Sequence, residues 1–173
     1  MNSTNSPSGL ARQPLSSGKD YVKVHFDLLQ DELGYPPANS ESMWAVPLGQ
    51  SLFRLDNIPF FASGVSCFDV VLARTDASGL LKYERLVEAG GHSTLRVIFY
   101  DNPSDQRPLR ERITELTGRL REIGCSSELC HIPRLISIDI PPEVEIAKPK
   151  LILDAGQRQK LWEYEEATLA HSV

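Results

Sequence analysis

One stretch, Glu88-Ala-Gly-Gly-His-Ser-Thr-Leu-Arg-Val-Ile-Phe-Tyr100, constrains what this chain can fold into more than any other. Leu95, Val97 and Phe99 share one side of its second half, and Arg96, Ile98 and Tyr100 share the other. A run apolar on both sides predicts a strand inside a sheet, covered on two faces. The pair Gly90-Gly91 in front of it permits positive φ and a sharp turn, which suits a junction between two folding units.

Before that junction the pattern is all strand. Tyr21 to Phe26 alternates, with Val22, Val24 and Phe26 on one side and Lys23 and His25 on the other. Leu33-Gly34-Tyr35-Pro36-Pro37 predicts a turn, because paired prolines forbid ladder bonding. Glu41 to Gly49 and Leu52 to Leu55 predict a hairpin, Val65 to Arg74 a further strand, and Leu80 to Glu88 its return across the turn Asp76-Ala77-Ser78-Gly79. No amphipathic helix is predicted between Asp20 and Glu88. Short strands punctuated by Pro and Gly point to a small, partly open β-barrel over residues 20–91.

After the junction the period changes. Asp101 to Asp105 offers N-cap chemistry and Pro108 suits a first helical turn. Leu109, Ile113, Leu116, Leu120 and Ile123 then form one apolar stripe at helical spacing, stopped by Gly124. Ser126 to Cys130 and Leu135 to Ile140 predict strands. A short helix follows between Glu143 and Ala155, with Gly156 closing it, and Leu161 to Ala167 alternates as a last strand. The order β-α-β-β-α-β over residues 92–168 is the ferredoxin-like arrangement, with one sheet face under two helices. Its other face carries Ile98 and Tyr100 and needs a cover, either the barrel or a partner. Residues 1–19 and 169–173 are predicted tails. The expected fold class is thus α+β, a small barrel followed by a ferredoxin-like unit.

Charge and composition exclude several functions. The 173 residues carry a net charge of -5, against a general footprint for nucleic acid or an anionic membrane. No apolar run approaches the roughly 20 residues that span a bilayer. Residues 1–20 lack a basic start and an apolar core, so a secretory signal is not expected. Cys67, Cys125 and Cys130 form no CxxC and read as buried free thiols in a reducing cytoplasm. Cys125, Cys130 and His131 have the wrong spacing for zinc, and no metal or cofactor is expected. The arginines of the first long helix are interleaved with Glu111, Glu115 and Glu122 and read as a solvated face rather than an RNA site.

The residues suggestive of catalysis are His92 and Ser93, with Asp69, Glu88 or Asp139 as orienting carboxylates. A histidine activating a serine needs the two side chains to converge. Neighbours entering a strand point to opposite faces, so His92 is expected to pack at the seam instead. A binding surface is the favoured alternative, formed by His92, Tyr100, Trp162, Glu163, Tyr164, Glu165 and Glu166. Aromatic anchors beside acids suit a basic protein partner. For Trp162 and Tyr164 a bland placement in the core competes.

Several blocks together resemble one family: Gly34-Tyr35-Pro36-Pro37, Glu41 to Gly49, Leu55 to Ala62, Gly64-Val65-Ser66, Gly90 to Arg96 and Trp162 to Glu166. The chain is similar, over nearly all of Tyr21 to Ala167, to the bacterial family known as domain of unknown function 4265. The resemblance implies a bacterial cytoplasmic protein and carries over no catalytic residue. That family often places a Gly before Asp69, where this chain has Phe68. The expected function is a non-enzymatic protein-binding module, such as an immunity protein or inhibitor that neutralises a toxin or regulates an enzyme. A small-ligand sensor at the barrel–sheet seam and a hydrolase using His92 are the alternatives.

The helical stripe generates a first test. Leu116→Asp is expected to unfold the second unit, since an unpaired charge in the stripe costs several kcal/mol. Thermal melting reads it, and an unchanged melting temperature would mean that the stripe faces no core.

Overall fold

Alternating burial builds the first unit. In the computed structural model, which describes residues 20–101, 105 and 107–171, five antiparallel or edge-closing strands precede the glycine pair. They are β1 (Val22–Asp27), β2 (Ser40–Gly49), β3 (Leu52–Leu55), β4 (Val70–Thr75) and β5 (Leu81–Glu88). Val24, Phe26, Met43, Ala45, Leu55, Val71 and Ala73 point inward and form its core. Phe26 stacks on Tyr83 with centroids 4.5 Å apart. Sequential neighbours pair antiparallel, and the barrel is closed, not partly open as the strand pattern suggested. Closure comes from one parallel contact, His25 opposite Lys82, reinforced by the Lys82–Asp27 ion pair. Contacts so distant in sequence leave no periodic trace. The predicted strand from Val65 starts only at Val70, because 57–66 is an irregular segment that serves the other unit.

The second unit contains β6 (Ser93–Phe99), α1 (Leu109–Glu122), β7 (Ser126–Leu129), β8 (Leu135–Ile140), α2 (Ala147–Arg158) and β9 (Trp162–Thr168). The sheet order is β7-β8-β6-β9, with every neighbouring pair antiparallel. Leu95, Val97 and Phe99 of β6 and Ile136, Ile138 and Ile140 of β8 pack against Leu116 and Leu120 of α1 and Leu153 of α2. So the chain is α+β: a barrel, then a sheet with both helices contributing to one core. Gly124 takes φ +92° and ends the first helix as expected.

Three local expectations are corrected. Helix α1 has no side-chain cap: Pro108 holds the N-cap position, and Asp105 instead binds Arg107 and Arg112. The predicted capping residues Asn102 to Ser104 lie outside the described residues, as do the tail 1–19 and residues 172–173. Arg112 is buried, donating to the Tyr100 and Leu161 carbonyls at 3.0 and 2.9 Å, so this part of the basic helix is not a solvated face. Gly156 does not close α2, which runs on to Arg158. The glycine is there for space: a Cβ on it would lie 1.9 Å from Trp162 Cζ2. The Trp162 indole lies against it and donates to the Leu153 carbonyl at 3.0 Å.

The sheet face away from the helices meets the barrel side through Leu135, which packs on Phe61, and through a set of polar contacts. Ser137 donates to the Pro59 carbonyl at 2.7 Å, Arg96 to the Ala62 carbonyl at 2.6 Å and Thr168 to the Val65 carbonyl at 3.1 Å. From the barrel side, Glu41 accepts from the amides of Phe60, Phe61 and Ala62 at 2.7, 2.9 and 2.7 Å. The segment 57–66 is therefore held from both units.

Gly156→Ala is expected to destabilise the fold by at least about 2 kcal/mol, because the indole has to move or the helix has to shift. Urea denaturation measures it, and an unchanged midpoint would show that Trp162 is free to relocate.

Candidate functional site

The turn into β6 brings the predicted catalytic residues near one another without joining them. His92 Nδ1 lies 2.8 Å from Asp139 Oδ1, and its ring meets Phe68 edge-on with centroids 4.9 Å apart. Ser93 points to the opposite side of the strand and is wholly buried. Its hydroxyl meets His171 Nδ1 at 2.6 Å and accepts from the amides of Ala170 and His171 at 2.9 and 3.3 Å. His171 Nε2 sits 3.1 Å from the Pro141 carbonyl. A carbonyl only accepts, so Nε2 carries the proton and Nδ1 takes the one from Ser93. The serine hydroxyl is thus saturated and closed to solvent. Residues 169–171, expected as tail, fold back onto β6. His171 was not among the sequence candidates, because nothing in a short polar terminus signals a clasp.

Asp69 ties the end of segment 57–66 to the glycine pair. Its two oxygens accept from Ser66 N at 2.7 Å and from Gly90 N at 2.6 Å. Burial pushes its carboxyl up from the usual range, opposed by those two amide bonds and by His92. Burial also raises Asp139, with the His92 contact pulling it partly back. Gly90 is needed for close approach, since a Cβ there would sit 2.8 Å from the Phe68 carbonyl carbon and oxygen. Phe68 itself takes φ +65°, which explains why a glycine suits the position before Asp69. Glu88 lies exposed at the end of β5 and takes no part in this cluster.

The proposed binding residues divide by strand period. Trp162 is buried, with its ring edge-on to Phe99 at 5.5 Å, so it belongs to the core and is no surface anchor. Tyr164 turns the same way and donates to Asp154 at 2.5 Å. Burial, then the Asp154 bond, pushes its phenol well up. Glu166 pairs with Lys150 of α2. Glu163 and Glu165 point to the other face. There Glu163 accepts from the Tyr100 hydroxyl at 2.8 Å, and Glu165 pairs with Arg96 at 3.0 Å. Ile98 and Tyr100 remain 47% and 39% exposed beside them. Tyr35 approaches from the barrel, edge-on to Phe61 at 6.3 Å. Burial and then the Glu165 carboxylate push its phenol up. One face of the molecule therefore gathers Ile98, Tyr100, Tyr35, Glu163 and Glu165.

A groove of about 640 Å³ lies elsewhere along the seam, between β2 and the outer strand β7. Trp44, Ile58, Phe60 and Phe61 line it, together with Lys23, Asn57, Glu128 and His131. Asn57 bridges the units, accepting from Trp44 N at 2.6 Å and donating to Glu128 at 3.2 Å. Cys130 and His131 sit at its end, 3.7 Å apart. Among the described residues no cluster of three His, Cys, Asp or Glu is placed to hold a metal. The three cysteines are free and buried, and burial raises Cys125 to about 11. Among the described residues no helix is long and apolar enough to cross a membrane.

Residues 41–164 match the model of a family described as a domain of unknown function, DUF4265. The chain belongs to this family. Among solved structures, this DUF4265 chain is similar to a hypothetical protein from Neisseria gonorrhoeae, at a TM-score of 0.68 and 20% identity. The match covers 89% of this chain and 97% of that one, and at such identity it speaks for the fold alone. No curated protein matches the chain.

Two outcomes follow for the seam. His92→Ala is expected to lower stability by about 1–2 kcal/mol, read by urea denaturation, because it strands the buried Asp139 carboxylate. A variant as stable as the parent would remove the packing role. Asp69 has its folded pKa raised above an unfolded value of about 3.9. Its stabilising term is therefore full below that value and is lost as pH rises through the raised one. The stability advantage of the parent over Asp69→Asn should be largest in acid and shrink as pH rises. An advantage that grows with pH would reverse this sign.

Proposed function

We propose that this chain is a non-enzymatic protein-binding module that engages a basic partner protein, as an immunity protein or inhibitor does with a toxin or an enzyme. The observation that carries this is the face holding exposed Ile98 and Tyr100 among Glu163 and Glu165, next to β9. Strand β9 is an outer strand seven residues long that pairs only with β6. On this face Glu163 and Glu165 disfavour pairing with a second copy and complement lysine and arginine, while Glu166, on the other side of the strand, pairs with Lys150. The saturated, buried Ser93 speaks against the hydrolase alternative. The second unit reads as ferredoxin-like, supported by the order β7-β8-β6-β9 and the shared helical core. Buried free thiols support a cytoplasmic setting.

A second reading, a small-ligand sensor, is favoured by the seam groove. Its volume of about 640 Å³ falls within the range of small-molecule sites, which favour such junctions.

Affinity capture from cells that make the protein, followed by mass spectrometry, tests the choice. A basic protein retained by the parent should fall about tenfold or more with Ile98→Asp and with Glu163→Gln, Glu165→Gln, Glu166→Gln combined. Thermal stabilisation by a metabolite, abolished by Trp44→Ala and accompanied by no protein partner, would favour the sensor. Hydrolytic turnover lost in His92→Ala would overturn both.

A further inference from the structure

The barrel carries a loop that breaks the usual rule for leucine. Leu29 is 95% exposed and Leu33 is 94% exposed, yet the loop between β1 and β2 that bears them is tightly braced. Asp31 Oδ1 accepts from the amides of Leu33 and Tyr35 at 2.9 and 2.8 Å. Asp31 N donates to the Tyr35 carbonyl at 2.7 Å, and Gly34 N donates to the Asp31 carbonyl at 3.0 Å, with Gly34 at φ +79°. Gln30 donates to the Pro36 carbonyl at 2.9 Å, and Leu28 N to the Asn39 carbonyl at 2.9 Å. A floppy loop would let its leucines lie down on the surface. This one fixes its backbone with its own polar side chains and holds two apolar side chains out in water, where each forfeits the gain of burial.

We infer that this loop is a preformed apolar anchor that inserts Leu29 and Leu33 into a cleft of a basic partner protein, extending the face made by Ile98 and Tyr100. It rests on the protein-binding reading above. Tyr35 is the link, since it closes the braced turn and its ring meets Phe61, which packs on Leu135 opposite Ile98. Charge selects the occupant. The nine residues from Asp27 to Tyr35 hold three acids and no base, Asp27 being paired with Lys82, and the Ile98 side of β9 presents Glu163 and Glu165. Two apolar spots each rimmed by carboxylates fit an apolar cleft rimmed by lysine or arginine. The same carboxylates repel a second copy of this chain and an anionic bilayer. A braced loop binds without the ordering cost that a flexible one incurs, which suits an anchor.

Photocrosslinking in the full chain tests this, with a benzoylphenylalanine placed at position 33 and, separately, at position 98 in cells that make the protein. Both positions should yield adducts with the same protein, the crosslinked peptide should carry lysine or arginine, and Glu32→Lys should cut the adduct about tenfold. Leu29→Asp with Leu33→Asp should abolish the adduct at 98 while leaving the melting temperature unchanged. A double variant that unfolds would show that the leucines hold the fold and would overturn the anchor. An adduct at 98 that survives the double variant, with none at 33, would overturn the anchor and spare the sheet-face reading. No adduct at either position would overturn both. An adduct with a second copy of this chain, or flotation of the protein with phosphatidylglycerol vesicles, would overturn the basic protein as occupant.

Discussion

The segment 57–66 is the constraint on which the rest of this structure depends. It runs between the units without helix or strand to satisfy its peptide groups, and a buried peptide group without a partner costs about 1–3 kcal/mol. The solution is divided. Glu41 of the barrel takes three successive amides, while Ser137, Arg96 and Thr168, from three strands of the sheet, each donate to a carbonyl. This is why the covered sheet face carries donors at Ser137, Arg96 and Thr168, while Leu135 beside them packs on Phe61 of the same segment. An apolar cover over that area would have left the three carbonyls without donors.

The same division assigns roles to residues that look functional in isolation. Asp69 and the His92–Asp139 pair hold the seam, and Ser93 holds the returning end of the chain. Their polar groups are engaged in these contacts. The face around Ile98 and Tyr100, the braced leucine loop and the groove at β7 remain exposed. The groove is walled by the same segment, since Ile58, Phe60 and Phe61 line it. Occupation of the groove would therefore act directly on the element that joins the units.

Much of the fold was legible because it follows short periods. Alternation located the strands, the stripe from Leu109 to Ile123 located α1, and period two placed His92 and Ser93 on opposite sides. Contacts distant in sequence were not legible. Barrel closure rests on one pair far apart in sequence, and Gly156 looked like a helix stop because its packing partner Trp162 acts across a turn. Arg112 looked solvated because its acceptors are backbone carbonyls, which no sequence pattern marks. On the face proposed for binding, Glu163, Glu165 and Tyr100 were legible; the exposed Leu29 and Leu33 were not, because leucines in loops ordinarily tuck inward and the brace comes from Asp31.

The topology also sets an order on synthesis. The barrel strands pair with their neighbours in sequence, and the closing pair is complete once Lys82 has emerged. The central strand β6 instead waits for β8 and β9, the last of which ends at Thr168. A chain leaving the ribosome would thus complete its barrel while the Pro59, Ala62 and Val65 carbonyls still face water. Only β9 and the residues just after it, bringing Thr168 to the Val65 carbonyl and His171 to Ser93, allow the sheet to close over them. The hydrogen bonding of the first half is in this sense finished by a strand of the second.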